Sequence, residues 1–89
     1  MKEKKIIIPN KLGLHARAAA KIVTLTNKFK SIIEITNGDK KADAKSIMKI
    51  LMLAAPQGTE VKITASGKDE SVAIKSLENL IKAKFNEES

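Results

Sequence analysis

The chain contains no cysteine, no tryptophan and no tyrosine, and His15 is its only histidine. Without cysteine, and with one imidazole, neither a disulfide framework nor a zinc ligand set can be assembled. A reducing cytoplasm is the expected location, and no metal or cofactor is expected. Phe29 and Phe85 are the only aromatics, so there is no stacking platform for single-stranded nucleic acid. The 4 glycines and 2 prolines are too few for a low-complexity or disordered chain. Long apolar runs are missing too. The opening "MKEKKIIIPN" is basic and then apolar, but its isoleucines stop at Pro9, short of the roughly 7 to 15 residues of a signal-peptide core. "ILMLAAP" is far below the roughly 18 residues of a membrane span. Neither a targeting segment nor membrane insertion is expected.

What is present is an 89-residue chain, 43% hydrophobic and 30% charged, with the balance of an ordinary globular domain. A chain of this size buries roughly 60 to 65% of its unfolded surface and builds one core, so residues 1–89 are expected to form one autonomous, monomeric domain. Seventeen Lys and Arg against ten Asp and Glu give a formal charge of +7, which favours acidic partners of any kind. A small basic nucleic-acid-binding module is therefore an alternative reading. The lysines are spread along the chain rather than gathered in a block, which argues against it and for a solvated surface that could steer an acidic protein.

Periodicity gives the elements. "KKIIIP" reads as a strand with Ile6 and Ile8 on one face and Ile7 on the other. "NKLGL" is a loop. A helix follows from about Ala16 to Asn27, in which Ala19, Ile22, Val23 and Thr26 have the spacing of a buried stripe while Ala16 and Ala20 lie on the open side. "SIIEITNGDKKAD" reads as a hairpin with Ile33 and Ile35 inward and Asn37-Gly38 supplying the turn. Ser46 caps a two-turn helix, "IMKILML", that ends before Pro56. "TEVKITASG" is a strand with Val61, Ile63 and Ala65 inward. Asp69 caps a last helix with Ala73, Ile74, Leu77 and Ile81 buried. The order β-α-β-β-α-β-α predicts a two-layer α+β domain, three helices on one face of a mostly antiparallel sheet.

The chemistry-bearing residues are few. No Gly-rich phosphate loop, no facing pair of carboxylates and no Ser/His/Asp arrangement can be built, so an enzyme acting unaided is not expected. What stands out is "GLHAR", residues 13 to 17. It places His15, a nitrogen nucleophile, at the predicted N-cap of a helix, with the Arg17 guanidinium two residues on. The backbone N–H groups of Ala16, Arg17 and Ala18 and the positive end of the helix dipole would surround a phosphoryl group on His15, and Arg17 could offer it a planar fork of donors. A lone histidine near a helix start also fits an ordinary surface residue, and the helix terminus alone does not decide between the two.

"GLHARAAAKIV", followed some thirty residues later by "AKSIMKILMLAAPQGTEVKI", resembles the HPr family, the small histidine phosphocarriers of the bacterial phosphoenolpyruvate-dependent phosphotransferase system. The likeness runs through essentially the whole chain with the elements in the same order. It implies an open-faced β-sandwich with an antiparallel sheet in the order 1-4-2-3. It further implies that His15, through Nδ1, accepts phosphate from enzyme I and passes it to the A domains of sugar permeases. Arg17 would stabilise the transferred charge, and Ser46 would be a regulatory site for an ATP-dependent HPr kinase. One departure is visible: many members carry proline after the arginine, whereas this chain has Ala18. Both residues suit a first helical turn, so the chemistry stands. The branch is left open, because alanine also occurs there in the nitrogen-branch carrier, NPr.

The second helix has its own signal. Ile47, Met48, Ile50, Leu51, Met52 and Leu53 are apolar on every side, yet a two-turn helix buries only the face carrying Ile50 and Leu53. The remainder either repacks under a loop or forms a docking patch whose methionines adapt to unlike partners. The candidate partner-binding residues are Leu14, Ala20, Lys21, Lys45, Ile47, Met48, Lys49, Leu51 and Met52, the lysines forming a charged rim.

Overall fold

The computed structural model describes residues 1–86. Four strands, β1 (Lys2–Ile7), β2 (Ile32–Asn37), β3 (Lys40–Asp43) and β4 (Glu60–Ser66), form one antiparallel sheet in the order β1-β4-β2-β3. Three helices, α1 (Ala16–Thr26), α2 (Ile47–Met52) and α3 (Glu70–Lys82), and a 3-10 turn at Lys84–Asn86 complete the described chain. The expected order of elements and of strands is found.

The alternation read from the sequence sets which face the helices cover. Ile6, Ile33, Ile35, Val61, Ile63 and Ala65 are buried between sheet and helices, and Ile8 continues inward past the end of β1, bonded from its N–H to the Thr59 carbonyl at 2.9 Å. Ile7, pointing the other way, is 57% exposed. From α3, Ala73, Ile74, Leu77 and Ile81 enter the core as expected. The buried arc of α1 is wider than the expected stripe: Ala18 is fully buried along with Ala19, Ile22 and Thr26, while Val23 is half-buried. The cause is that α1 packs against both α2 and α3, so its flanks are covered as well as the side towards the sheet.

Two local expectations are corrected by long-range bonds, and one core residue is new. Asn37 and Lys40 face each other across the hairpin, so the turn is Gly38-Asp39 and not Asn37-Gly38. Gly38 alone of these has positive φ, at +62°, while Asn37 stays in the strand and its amide donates to the Leu53 carbonyl at 2.9 Å, tying β2 to the end of α2. Asp69 occupies the N-cap of α3 without capping it. Its carboxylate instead accepts bonds from the Lys30 and Ser31 N–H groups at 2.9 and 3.0 Å and from the Ser31 hydroxyl, bonds that hold its pKa below the usual carboxylate value. Glu70, one residue on, accepts from the Gly67 N–H at 3.1 Å and does the local work. Finally, Phe85 is a fully buried core residue in a run, Lys84 to Asn86, of left-handed backbone, whereas in the sequence it reads only as one of two scarce aromatics.

Candidate functional site

The loop before α1 closes on itself. The Gly13 N–H donates to the Asn10 carbonyl at 3.2 Å, and the buried Asn10 amide returns a 2.9 Å bond to the Gly13 carbonyl. Gly13 has φ +65°, and a Cβ there would lie 2.8 Å from Pro56 Cα and closer still to the Ala55 carbonyl oxygen. Only glycine allows this approach. The contact lets the Leu14 N–H bond the Ala55 carbonyl at 3.0 Å, so the loop is pinned to the segment that leaves α2. That segment turns through Ala54, whose φ of +50° is the left-handed conformation common just past a helix end.

His15 follows, half-buried and in extended backbone (φ −84°, ψ 178°), as the N-cap of α1. Its carbonyl accepts the first helical bond, from the Ala19 N–H at 2.8 Å. The N–H groups of Ala16, Arg17 and Ala18 have no intrahelical acceptor, and the His15 side chain does not cap them. No acidic residue lies in the first turn. The helix start therefore combines outward backbone donors, a positive dipole end and a nitrogen nucleophile. Arg17 is exposed and borders a groove of about 460 Å³ between α1 and α3, shared with Ala20, Lys21 and Lys28. No carboxylate lines that groove among the described residues.

Beside α1 lies α2. Ser46 is its N-cap, and the Ser46 hydroxyl accepts a bond from the Lys49 N–H at 3.3 Å. Ile50 and Leu53 are buried, as the sequence predicts. Ile47, Met48, Leu51 and Met52 are left in the open, Met48 at 74% and Met52 at 64% exposure. Pinning the His15 loop to Ala55 thus places the histidine, Arg17 and this apolar surface on neighbouring elements.

Not all nine candidate docking residues are available. Leu14 is a core side chain, 5% exposed, because the Gly13 turn drives it inward. The Lys21 ammonium donates to the Phe85 carbonyl and the Lys45 ammonium to the Phe29 carbonyl at 2.8 Å, so both are held by the fold rather than extended as a rim. Ala20 is half-buried and Lys49 exposed. Sequence reasoning missed Asn10, Gly13 and Ala55, which position the histidine. The one visible signal was the glycine of "GLHAR" itself, a residue that a helix start does not otherwise require.

Among the described residues no cluster of His, Asp and Glu could hold a metal ion, and no helix is long and apolar enough to cross a membrane. A family profile described as PTS HPr component phosphorylation site matches residues 2–83. The chain is 43% identical to the phosphocarrier protein HPr of Xylella fastidiosa strain 9a5c over the full length of both. It is 41% identical to the phosphocarrier protein NPr of Shewanella violacea, over 98% of this chain and 96% of the relative. Among solved structures, that of HPr-C-His from Thermoanaerobacter tengcongensis superposes with a TM-score of 0.96 at 52% identity, both chains fully covered. With the strand order and a histidine at the N-cap position of α1 already in place, these likenesses assign the chain to the HPr family, the phosphocarrier proteins, not enzymes, of the bacterial phosphotransferase system.

Proposed function

We propose that His15 is the residue that carries the phosphoryl group, that phospho-enzyme I donates it, and that the A domains of sugar permeases receive it. The reading rests on one observation above the others: a nucleophilic side chain sits at a helix start whose three outward N–H groups lack helical partners and whose first turn carries no acid. In the transfer, an imidazole nitrogen of His15, Nδ1 by family likeness, attacks phosphorus as the bond between phosphorus and the donor's nitrogen breaks. The N–H groups of Ala16, Arg17 and Ala18 and the exposed Arg17 guanidinium meet the charge on the phosphoryl oxygens. Passing the group on reverses the same step. Ile47, Met48, Leu51 and Met52, with Ala20 and Lys49, form the surface on which unlike partners dock in turn.

Ser46 has a second role in this reading, as the site of an ATP-dependent HPr kinase. A phosphate there brings about −1.5 to −2 charges to the edge of the docking surface, where it repels acidic partners, while the α2 terminus tolerates it. Residues 1–89 act as one cytoplasmic domain. A nitrogen-branch role is the second reading, favoured by the NPr of Shewanella violacea at an identity close to that of the HPr relatives. The test is reconstitution. With phosphoenolpyruvate and enzyme I, the protein gains one acid-labile phosphoryl group and loses it when a sugar-permease A domain is added. Transfer to a nitrogen-branch acceptor alone would select the second reading, and no uptake from enzyme I would remove both.

A further inference from the structure

The helices cover one face of the sheet, and the other carries an ordered charge pattern. Across all four strands the register sets Lys5, Lys62, Thr36 and Lys41 in one outward row. The next outward row, two residues along each strand and about 6.7 Å away, is Glu3, Thr64, Glu34 and Asp43. A cationic row thus runs beside an acidic one. Burial confirms the facing: of the intervening residues, Ile63, Ile35 and Ala42 are buried and Lys4 pairs with Glu78 of α3 on the covered side, while these eight are exposed or half-exposed.

Within one molecule the rows do not neutralise each other by contact. Among the described residues the ion pairs join the amino terminus to Glu70 and join Lys4, Lys75 and Lys82 to Glu78; none links the two rows. Lys5 stands directly opposite Lys62, a like-charge cross-strand pair that weakens an isolated sheet. The face is also close to neutral in a chain of formal charge +7, since Lys5, Lys41 and Lys62 are set against Glu3, Glu34, Asp43 and Glu60. The excess positive charge lies elsewhere, so it opposes approach along this surface less than the net charge alone would suggest.

We propose that this uncovered sheet face is a self-association surface for a second copy of the chain. A two-fold axis lying between the facing sheets, parallel to the rows and midway between them, brings each cationic row over the acidic row of the other copy. Lys5 then meets Glu3 of the second copy, Lys41 meets Asp43, and Lys62 reaches Thr64 and Glu34, every contact occurring twice. The strands of the two sheets stay aligned, an ordinary packing for stacked sheets. Four strands about 4.8 Å apart give a face smaller than the ~800 Å² per partner of a standard interface. The association is therefore weak, transient and weakened by salt. Because α1 and α2 lie on the opposite side of the sheet, both His15 sites stay open, and the pair is a bivalent carrier.

Sedimentation equilibrium over a wide concentration range, at low and high salt, tests this with two double variants, Lys5→Glu/Lys62→Glu and Glu3→Lys/Glu34→Lys. The parent should self-associate at low salt and dissociate at high salt. Each variant alone should associate at least about tenfold more weakly, since like charges then face each other, and their equimolar mixture should form a heterodimer tighter than the parent pair. A parent that stays monomeric at low salt, association untouched by either variant, or a mixture that does not pair would each overturn the proposal. If a variant fails to fold by circular dichroism, the parent's concentration-dependent amide shifts decide. Shifts on the outward positions of the four strands support the surface, and shifts confined to the helices refute it.

Discussion

Gly13→Ala adds one methyl group where there is no room for it. Two costs combine. The first is conformational, because φ +65° is a left-handed geometry that costs an L-residue about 1 to 2 kcal/mol. The second is steric: the new Cβ would stand 2.8 Å from Pro56 Cα and nearer to the Ala55 carbonyl oxygen, both backbone atoms that cannot rotate away. Overpacking of that kind costs typically about 1 to 3 kcal/mol. Gly58→Ala isolates the first cost. Gly58 also has positive φ, +89°, in the turn closed by the Thr59 N–H and the Pro56 carbonyl, but nothing lies within 4 Å of a Cβ built there. The expected loss is thus roughly 2 to 5 kcal/mol for Gly13→Ala and roughly 1 to 2 for Gly58→Ala. At about 4 to 8 °C per kcal/mol for a domain of this size, calorimetry separates them readily. Gly13→Ala should also slow phosphorylation of the protein, because relieving the clash stretches the bond from the Leu14 N–H to Ala55 and shifts His15. Equal melting temperatures for the two variants would refute the reasoning, since the clash would then contribute nothing.

Arg17→Ala should leave the melting temperature close to the parent's, as the side chain is exposed, while slowing phosphoryl transfer in both directions by on the order of 10²-fold; stopped-time transfer assays with enzyme I measure this, and equal rates would exclude Arg17. Ser46→Ala should cost about 1 kcal/mol by losing the bond from the Lys49 N–H. Ser46→Asp should instead keep or raise stability and slow uptake from enzyme I, with added salt recovering part of the rate. Glu78, bonded to Lys82 at 3.0 Å with Lys4 and Lys75 nearby, has its carboxyl held below the usual range, chiefly by the Lys82 hydrogen bond. A depressed folded-state pKa stabilises above the ordinary glutamate value of about 4.3, and that contribution is lost as pH falls through the folded value. Glu78→Gln should therefore melt lower than the parent near neutral pH, with the gap closing in acid.

The readable parts of this fold were those written in local periodicity. The alternation of Ile33 with Ile35 and of Val61 with Ile63 set the inward face of the sheet, and the crowding of apolar residues in "IMKILML" foretold an uncovered surface on α2 because six residues cannot bury every side. Ser46 was legible as a cap, and His15 as the residue at a helix start, from their place before the helical runs. What the sequence concealed depends on distant partners. Asn37 reads as a turn residue until its amide meets Leu53, and Asp69 reads as a cap until its carboxylate meets Lys30 and Ser31. Leu14 and Lys21 read as surface beside the histidine, but the Gly13 turn and the Phe85 carbonyl draw them into the fold. Phe85 sits in left-handed backbone that no pattern in "AKFN" announces. Such positions are fixed by contacts many residues apart, which a reading of neighbours along the chain does not contain.

The most direct test of the carrier role is to follow the imidazole nitrogens of His15 by nitrogen-edited NMR while phospho-enzyme I is added. One ring nitrogen should acquire the shift and phosphorus coupling of an acid-labile phosphoramidate, no other side chain should change covalently, and His15→Ala, folded by circular dichroism, should take up nothing. Acid-labile phosphate on the His15→Ala protein, or an unchanged imidazole while the parent gains phosphate, would contradict it.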